Sequence, residues 1–289
     1  LDFRKIVEDA AVDLIKKSVI ELPRDVKDAV RKAYMEEVTQ EGRNELKAII
    51  NNIELAEKYK APVCQDTGII LFYVSLGGGF KNFSFLPQAL RNAVRRATSE
   101  VPLRPSVVHP LKRENTGDNT GVNVPYINWK LTSSDYLELT VMPKGAGSEN
   151  MSSLAMLNPI EGLPALKKIV VETVVRAGAK PCPPIIVGVG IGGSADVALR
   201  LAKEALLRPI GQSHREDEIA GLEKELLEAI NMTGIGPMGL GGKVTALGVN
   251  VEYAHCHAAS LPVGVNIQCW AGRRATARIY ENGEVEYLT

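Results

Sequence analysis

Apolar residues in the first sixty positions recur at the spacing of a helix face. Ile6, Ala10 and Ile15 form one stripe, Val26, Val30, Ala33 and Tyr34 a second, and Leu46, Ile49, Ile50, Ile53 and Ala56 a third. Recurrence at every third or fourth position predicts amphipathic helices, because 3.6 residues per turn return those side chains to one side. Pro23 separates the first stripe from the second, since proline has no amide hydrogen and fits only the first turn of a helix. The third helix is expected over about residues 40–59, with Glu45, Lys47, Glu54 and Lys58 off its apolar face. That face requires a partner to pack against.

Beyond Tyr59 the pattern changes. Short β-branched runs at residues 69–74, 137–142, 185–189, 243–251, 263–267 and 276–280 predict strands, and they alternate with glycine-rich loops. Helices are expected at about residues 88–100, 163–177, 195–207 and 217–231, each ending near a glycine or proline. The expected fold is mixed α/β: a helical region at residues 1–60 packed on a β-containing core at 61–289, the two forming one compact domain. No internal repeat, low-complexity tract or linker interrupts it.

Composition then narrows the function classes. With 289 residues the chain can bury a core without disulfide staples. A hydrophobic content of 45%, a charged content of 24% and zero formal net charge argue against nucleic acid or an anionic membrane as partner. Apolar runs such as residues 69–76 and 185–191 are too short to span a bilayer, and Leu1-Asp2-Phe3-Arg4 opens no signal-peptide core. The cytoplasm is the expected location.

Cys64, Cys182, Cys256 and Cys269 are too few for a secreted disulfide framework and show no CxxC spacing. In a reducing compartment they are thiols or ligands. Three of them stand beside loop signals, in Ala61-Pro62-Val63-Cys64, Pro181-Cys182-Pro183-Pro184 and Gln268-Cys269-Trp270-Ala271-Gly272. A cysteine is ordinarily a small buried hydrophobe. Prolines on both sides of Cys182 weaken that reading, because ordinary packing does not require so stiff a backbone. Three distant thiolates can hold a cluster whose remaining iron stays open as a Lewis acid. The intervals of 118 and 87 residues match no compact ferredoxin-type run, so spacing alone does not decide.

The motifs around these cysteines carry a resemblance. Cys64-Gln65-Asp66-Thr67-Gly68, Asn115-Thr116-Gly117-Asp118-Asn119-Thr120, Lys144-Gly145-Ala146-Gly147-Ser148-Glu149-Asn150, Cys182-Pro183-Pro184 and Gly241-Gly242-Lys243 occur in the order found in one family. From about residue 61 to 278 the chain resembles the α subunit, or N-terminal iron-sulfur domain, of class I fumarate hydratases, and the related L-tartrate dehydratase α subunit. The resemblance implies a 4Fe-4S cluster held by Cys64, Cys182 and Cys269, with Cys256 structural. It implies substrate contacts from Gln65 and Arg104, the latter suited to clamp a carboxylate with its planar fork. It places backbone contacts to an anion at Gly145 and Gly147, and proton transfer at Asp66 shared with His257. The implied reaction is reversible hydration of fumarate to malate, with tartrate dehydration the alternative. The base that takes the carbon-bound proton is absent from these motifs. The family's further domain supplies such residues, so the chain is expected to act with a separate β subunit on a small dicarboxylate.

Three rival readings accompany this one. Gly188-Val189-Gly190-Ile191-Gly192-Gly193 is a formal GxGxxG after a strand, but the next strand and its acid are not evident, so glycines packing a helix onto a strand are the favoured reading over nucleotide binding. A zinc site from His255, Cys256, His257 and Cys269 is disfavoured because adjacent side chains on an extended segment point apart. A non-catalytic interaction subunit would keep the fold without the complete motifs.

Overall fold

The computed structural model describes residues 2–80 and 83–288. Leu1 and Thr289, the outermost residues of the two expected regions, lie outside them. In chain order the elements are α1 (Phe3–Ile20), α2 (Arg24–Glu36), α3 (Gln40–Tyr59), β1 (Ile69–Gly77), α4 (Leu86–Glu100), β2 (Tyr126–Thr132), β3 (Tyr136–Lys144), α5 (Ala146–Glu149) and β4 (Ser153–Leu157). They continue with α6 (Gly162–Ala177), β5 (Ile185–Gly192), α7 (Ala195–Ala205), α8 (Asp217–Asn231), β6 (Ala246–Ala254), β7 (Leu261–Gln268), β8 (Ala275–Tyr280) and β9 (Val285–Tyr287). The fold is mixed α/β, as expected. Its residues group into two compact units: residues 1–23, 53–145 and 273–289 in the first, 24–52 and 146–272 in the second.

The first unit is built on a five-stranded sheet of order β2-β1-β3-β8-β9, in which only the β1–β2 pair is parallel. Strand side chains alternate between faces. Ile70, Phe72, Val74 and Leu76 of β1, Leu137, Leu139 and Val141 of β3, and Ala275, Ala277 and Ile279 of β8 therefore share one buried face with apolar residues of α1 and α4. The other face is a polar ladder. Arg278 donates to Glu138 at 3.0 Å, Thr140 and Thr276 share a hydrogen bond of 2.9 Å, and the Tyr136 and Tyr280 rings meet edge-on.

The second unit carries a four-stranded sheet of order β4-β7-β5-β6, parallel only between β5 and β6. One face, formed by Ile185, Val187 and Val189 of β5 with Val263, Val265 and Ile267 of β7, packs on α6 and α8. At its centre the other face is bare backbone, at Gly188, Gly190 and Gly264. A β-carbon on Gly188 would stand 2.0 Å from the Ala202 carbonyl oxygen, one on Gly190 2.0 Å from that of Ala198, and one on Gly264 2.5 Å from the same Ala198 oxygen. The glycines thus let α7 lie directly on the strands, the packing role expected of the GxGxxG stretch. A second parallel strand does follow, β6, but one helix later than a dinucleotide fold places it. Its Glu252 is engaged by Arg208 and His214.

Candidate active site

In the first unit the loop between α3 and β1 brings three candidate residues together. Gly68, at φ +82°, leaves the loop against the backbone of Lys144, where any β-carbon would come within 2.9 Å of the Lys144 nitrogen and carbonyl carbon. Asp66 Oδ1 accepts from the Gly68 N–H at 3.0 Å, closing the turn through its own side chain. Cys64 and Asp66 are half-buried and Gln65 is exposed. Gly145 completes this corner. A β-carbon there would stand 3.1 Å from Asp66 Oδ2 and 3.3 Å from Arg273 Nη2, so only glycine admits both groups without displacement.

Arg104 is exposed and its backbone is anchored. Its N–H donates to Thr67 Oγ1 at 3.0 Å, tying it to the Cys64 loop. The Asn115-to-Thr120 motif holds the same segment from the other side. Asn119, buried and at φ +58°, accepts from the Ser106 N–H at 2.7 Å and donates to the Arg104 carbonyl at 3.2 Å, while Asn115 donates to the Pro105 carbonyl at 3.0 Å. Burial opposes the charge of Asp118, but the Thr120 N–H and hydroxyl and the Arg95 guanidinium outweigh it and hold the carboxyl below its ordinary range. A motif without an assigned role in the sequence is thus the mount of the Arg104 loop.

In the second unit two cysteine loops adjoin. Cys182 adopts φ +55°, a left-handed conformation that costs an L-residue about 1–2 kcal/mol and that marks a position held by its surroundings. The surroundings are visible. Its N–H donates to Ala179 O at 3.0 Å, its carbonyl accepts from the Trp270 N–H at 3.4 Å, and the Pro183 carbonyl accepts from Met238 N–H at 2.8 Å. The Trp270 contact sets Cys182 beside the residue that follows Cys269, itself just past the end of β7. Gly147 packs 3.0 Å, by its missing β-carbon, from the carbonyl of Lys180 in the approach to Cys182.

The chemistry of this corner fits an iron-sulfur cofactor. No disulfide joins the four cysteines, and Cys182 is exposed while Cys269 is half-buried. Gln268, directly before Cys269, is 3% exposed, and neither of its amide atoms finds a hydrogen-bond partner among the described residues. An unpaired buried amide is costly, and a cluster at Cys269 would offer its sulfur as acceptor. Among the described residues no three His, Cys, Asp or Glu side chains converge as ligands of a single metal ion. A cluster spreads its thiolates over separate irons and does not demand that convergence.

His257 is exposed in the loop after β6, where its Nδ1 accepts from Ala259 N–H at 3.1 Å and its carbonyl from Ser260 N–H at 2.9 Å. A neutral ring with Nδ1 as acceptor carries its proton on Nε2. His255 is exposed and leans toward the Tyr253 ring.

The sequence reading passed over Glu37, Gln268 and Arg273. Glu37 is fully buried in the second unit, and its carboxylate accepts from the backbone N–H groups of Val38, Thr39, Lys243 and Val244. Burial works against its charge, but those donors prevail and hold its pKa at about 2. Gly242, at φ +143°, leaves room for the carboxylate, since a β-carbon there would meet Glu37 Oε1 at 2.7 Å. The Gly241-Gly242-Lys243 motif is therefore a nest for a buried anion. Each of these three residues lacks a local sequence signature, because Glu37 and Arg273 engage backbone more than 200 positions away and Gln268 meets no partner among the described residues.

A mixed α/β protein with cysteines on stiff loops, an acid beside the first of them and glycines where backbone must come close has the makings of an iron-sulfur lyase. The chain belongs to the fumarate hydratase (Fumerase) family of hydro-lyases, whose model it matches over residues 8–278. It is 53% identical over 277 residues to a putative L(+)-tartrate dehydratase subunit alpha of Methanocaldococcus jannaschii, covering 94% of this chain and 97% of that protein. It is 36% identical over 269 residues to the L(+)-tartrate dehydratase subunit alpha of Escherichia coli K12, covering 93% of this chain and 89% of that protein. Among the described residues no helix is long and apolar enough to cross a membrane.

Proposed function

We propose that this chain is the cluster-bearing α subunit of an iron-sulfur hydro-lyase that removes water from tartrate, acting in the cytoplasm with a separate β subunit. The observation that carries the reading is the Cys182 loop, held in a left-handed conformation and joined through Trp270 to the neighbourhood of Cys269, with the unpaired Gln268 amide alongside. Cys64, Cys182 and Cys269 are the proposed ligands of a 4Fe-4S cluster. A cluster with three protein ligands supplies Lewis-acid polarisation at its fourth iron.

The chain's own residues do the rest. Arg104 grips a substrate carboxylate through its guanidinium fork, on a loop that Asn115 and Asn119 hold in place. Gln65 orients the same dicarboxylate, and the N–H groups at Gly145 and Gly147 meet its negative charge at backbone distance. Asp66 carries the proton to the departing hydroxyl, with His257 sharing that transfer through its Nε2 proton. The base that takes the carbon-bound proton belongs to the partner chain.

Fumarate is the second reading, supported by the family description and by the Lys144-to-Asn150 stretch. The relatives' names back tartrate better, so the expectation of fumarate as main substrate gives way here. The test is anaerobic reconstitution of the chain with its β subunit, followed by side-by-side assay of tartrate dehydration and fumarate hydration. Turnover of tartrate well above fumarate is expected. The reverse ratio moves the assignment to fumarate, and no turnover of either overturns it.

A further inference from the structure

The first unit holds a buried cation that the proposed chemistry does not use. Arg273 is 2% exposed, so it does not reach a substrate in solvent. Its Nη1 donates to the carbonyl of Asp66 at 2.8 Å. Its Nη2 and Asp66 Oδ2 border the same glycine-sized gap, standing 3.3 Å and 3.1 Å from the place of a β-carbon on Gly145. Its Nε is buried without a hydrogen-bond partner among the described residues. A guanidinium is costly to remove from water unless an anion and hydrogen bonds compensate, and the neighbouring carboxylate here is that of Asp66.

We propose that Arg273 is a positioning residue for the reaction, fixing the loop that presents Cys64, Gln65 and Asp66 by holding Asp66 through its carbonyl and keeping a positive charge beside its carboxylate. The geometry suits arginine. A planar fork can bond a carbonyl with one arm while another stays toward the carboxylate, which the point charge of lysine cannot do. The inference rests on the reading of Asp66 and Cys64 as working residues and adds what keeps them in place.

The test uses the full chain assembled with its partner. In Arg273→Met kcat is expected to fall about 100-fold with KM changed less than about threefold, because the acid is displaced while Arg104 still binds substrate. In Arg273→Lys, which retains the charge, kcat is expected to recover to within about tenfold of wild type. Amide hydrogen exchange across residues 63–68 is expected to rise at least about tenfold in both variants, with β1 and β3 unchanged, before and after iron and sulfide are supplied. Unchanged exchange in that loop, or unchanged kcat in Arg273→Met, overturns the proposal. Failure of both variants to fold overturns it too, since Arg273 would then serve the fold and not the loop. Should the wild-type chain take up no iron, the hydro-lyase reading fails, and the exchange measurement still decides the role of Arg273.

Discussion

Glu37 in the second unit and Asp66 in the first are both carboxylates set against glycines that admit no side chain, yet they are treated in opposite ways. Backbone N–H groups of the adjoining Val38 and Thr39 and of the distant Lys243 and Val244 surround Glu37, and its pKa lies at about 2. Asp66 is half-buried on a short loop, accepts from the Gly68 backbone N–H and has the Arg273 guanidinium for a neighbour. An acid saturated by backbone donors keeps its charge at any physiological pH and serves the fold. An acid at the edge of solvent, mounted on a loop beside a candidate ligand cysteine, is the one proposed above to carry a proton.

Substitutions that remove each acid sharpen the contrast. Asp66→Asn is expected to lower kcat about 1,000-fold in the assembled enzyme, the scale of a lost general acid, with thermal unfolding little changed. Glu37→Gln is expected to do the reverse, lowering stability to urea by roughly 3 kcal/mol, because a neutral amide gives up charge-assisted hydrogen bonds and turns donors toward donors. Turnover per folded enzyme should stay near wild type. Equal losses of activity in the two variants would dissolve the distinction.

The pH dependence follows from the sign of the Glu37 shift. Folding lowers its pKa from the ordinary 4.5 to about 2, so between those values the unfolded chain binds more protons than the native one. The stabilisation is complete above about pH 4.5 and is lost as pH falls toward 2. The stability gap between wild type and Glu37→Gln should therefore narrow steadily below pH 4.5 in urea titrations, and a gap constant with pH would remove Glu37 as its source.

The glycines offer a finer comparison. Gly242→Ala places a β-carbon 2.7 Å from the Glu37 carboxylate at a φ of +143°, and a loss of about 2 kcal/mol in stability with normal kcat is expected. Gly145→Ala crowds Asp66 and Arg273 at 3.1 and 3.3 Å, and a fall of about tenfold in kcat with little change in unfolding is expected. Parallel unfolding and kinetic assays check both.

Much of this was legible before any coordinates. Residues 40–59 and 217–231 carry helix periodicity strong enough to define α3 and α8 to the residue. The β2 and β4 strands were not seen because both are edge strands with much of their surface in water, so Asn128 and Lys130, or Ser153 beside exposed Leu154 and Met156, break the alternation that marks a half-buried strand. The glycine face of β5 was read correctly as a packing surface, since a bare strand beside a small-residue helix has few other uses. The candidate cysteines were singled out by their flanking prolines and motifs. Glu37 was out of reach because two of its backbone N–H donors, Lys243 and Val244, lie 206 and 207 positions away, and a backbone donor leaves no trace in residue identity. Arg273 was missed for a related reason: a charged pair after Cys269 reads as solvent-facing until its burial is known.

The most direct measurement is the iron and acid-labile sulfide bound per chain after anaerobic reconstitution, for wild type and for Cys64→Ala, Cys182→Ala, Cys269→Ala and Cys256→Ala in turn. The account predicts about four irons and four sulfides in wild type and in Cys256→Ala, and a marked loss in each of the other three. A full complement in any of those three, or a loss in Cys256→Ala as large as theirs, would contradict it.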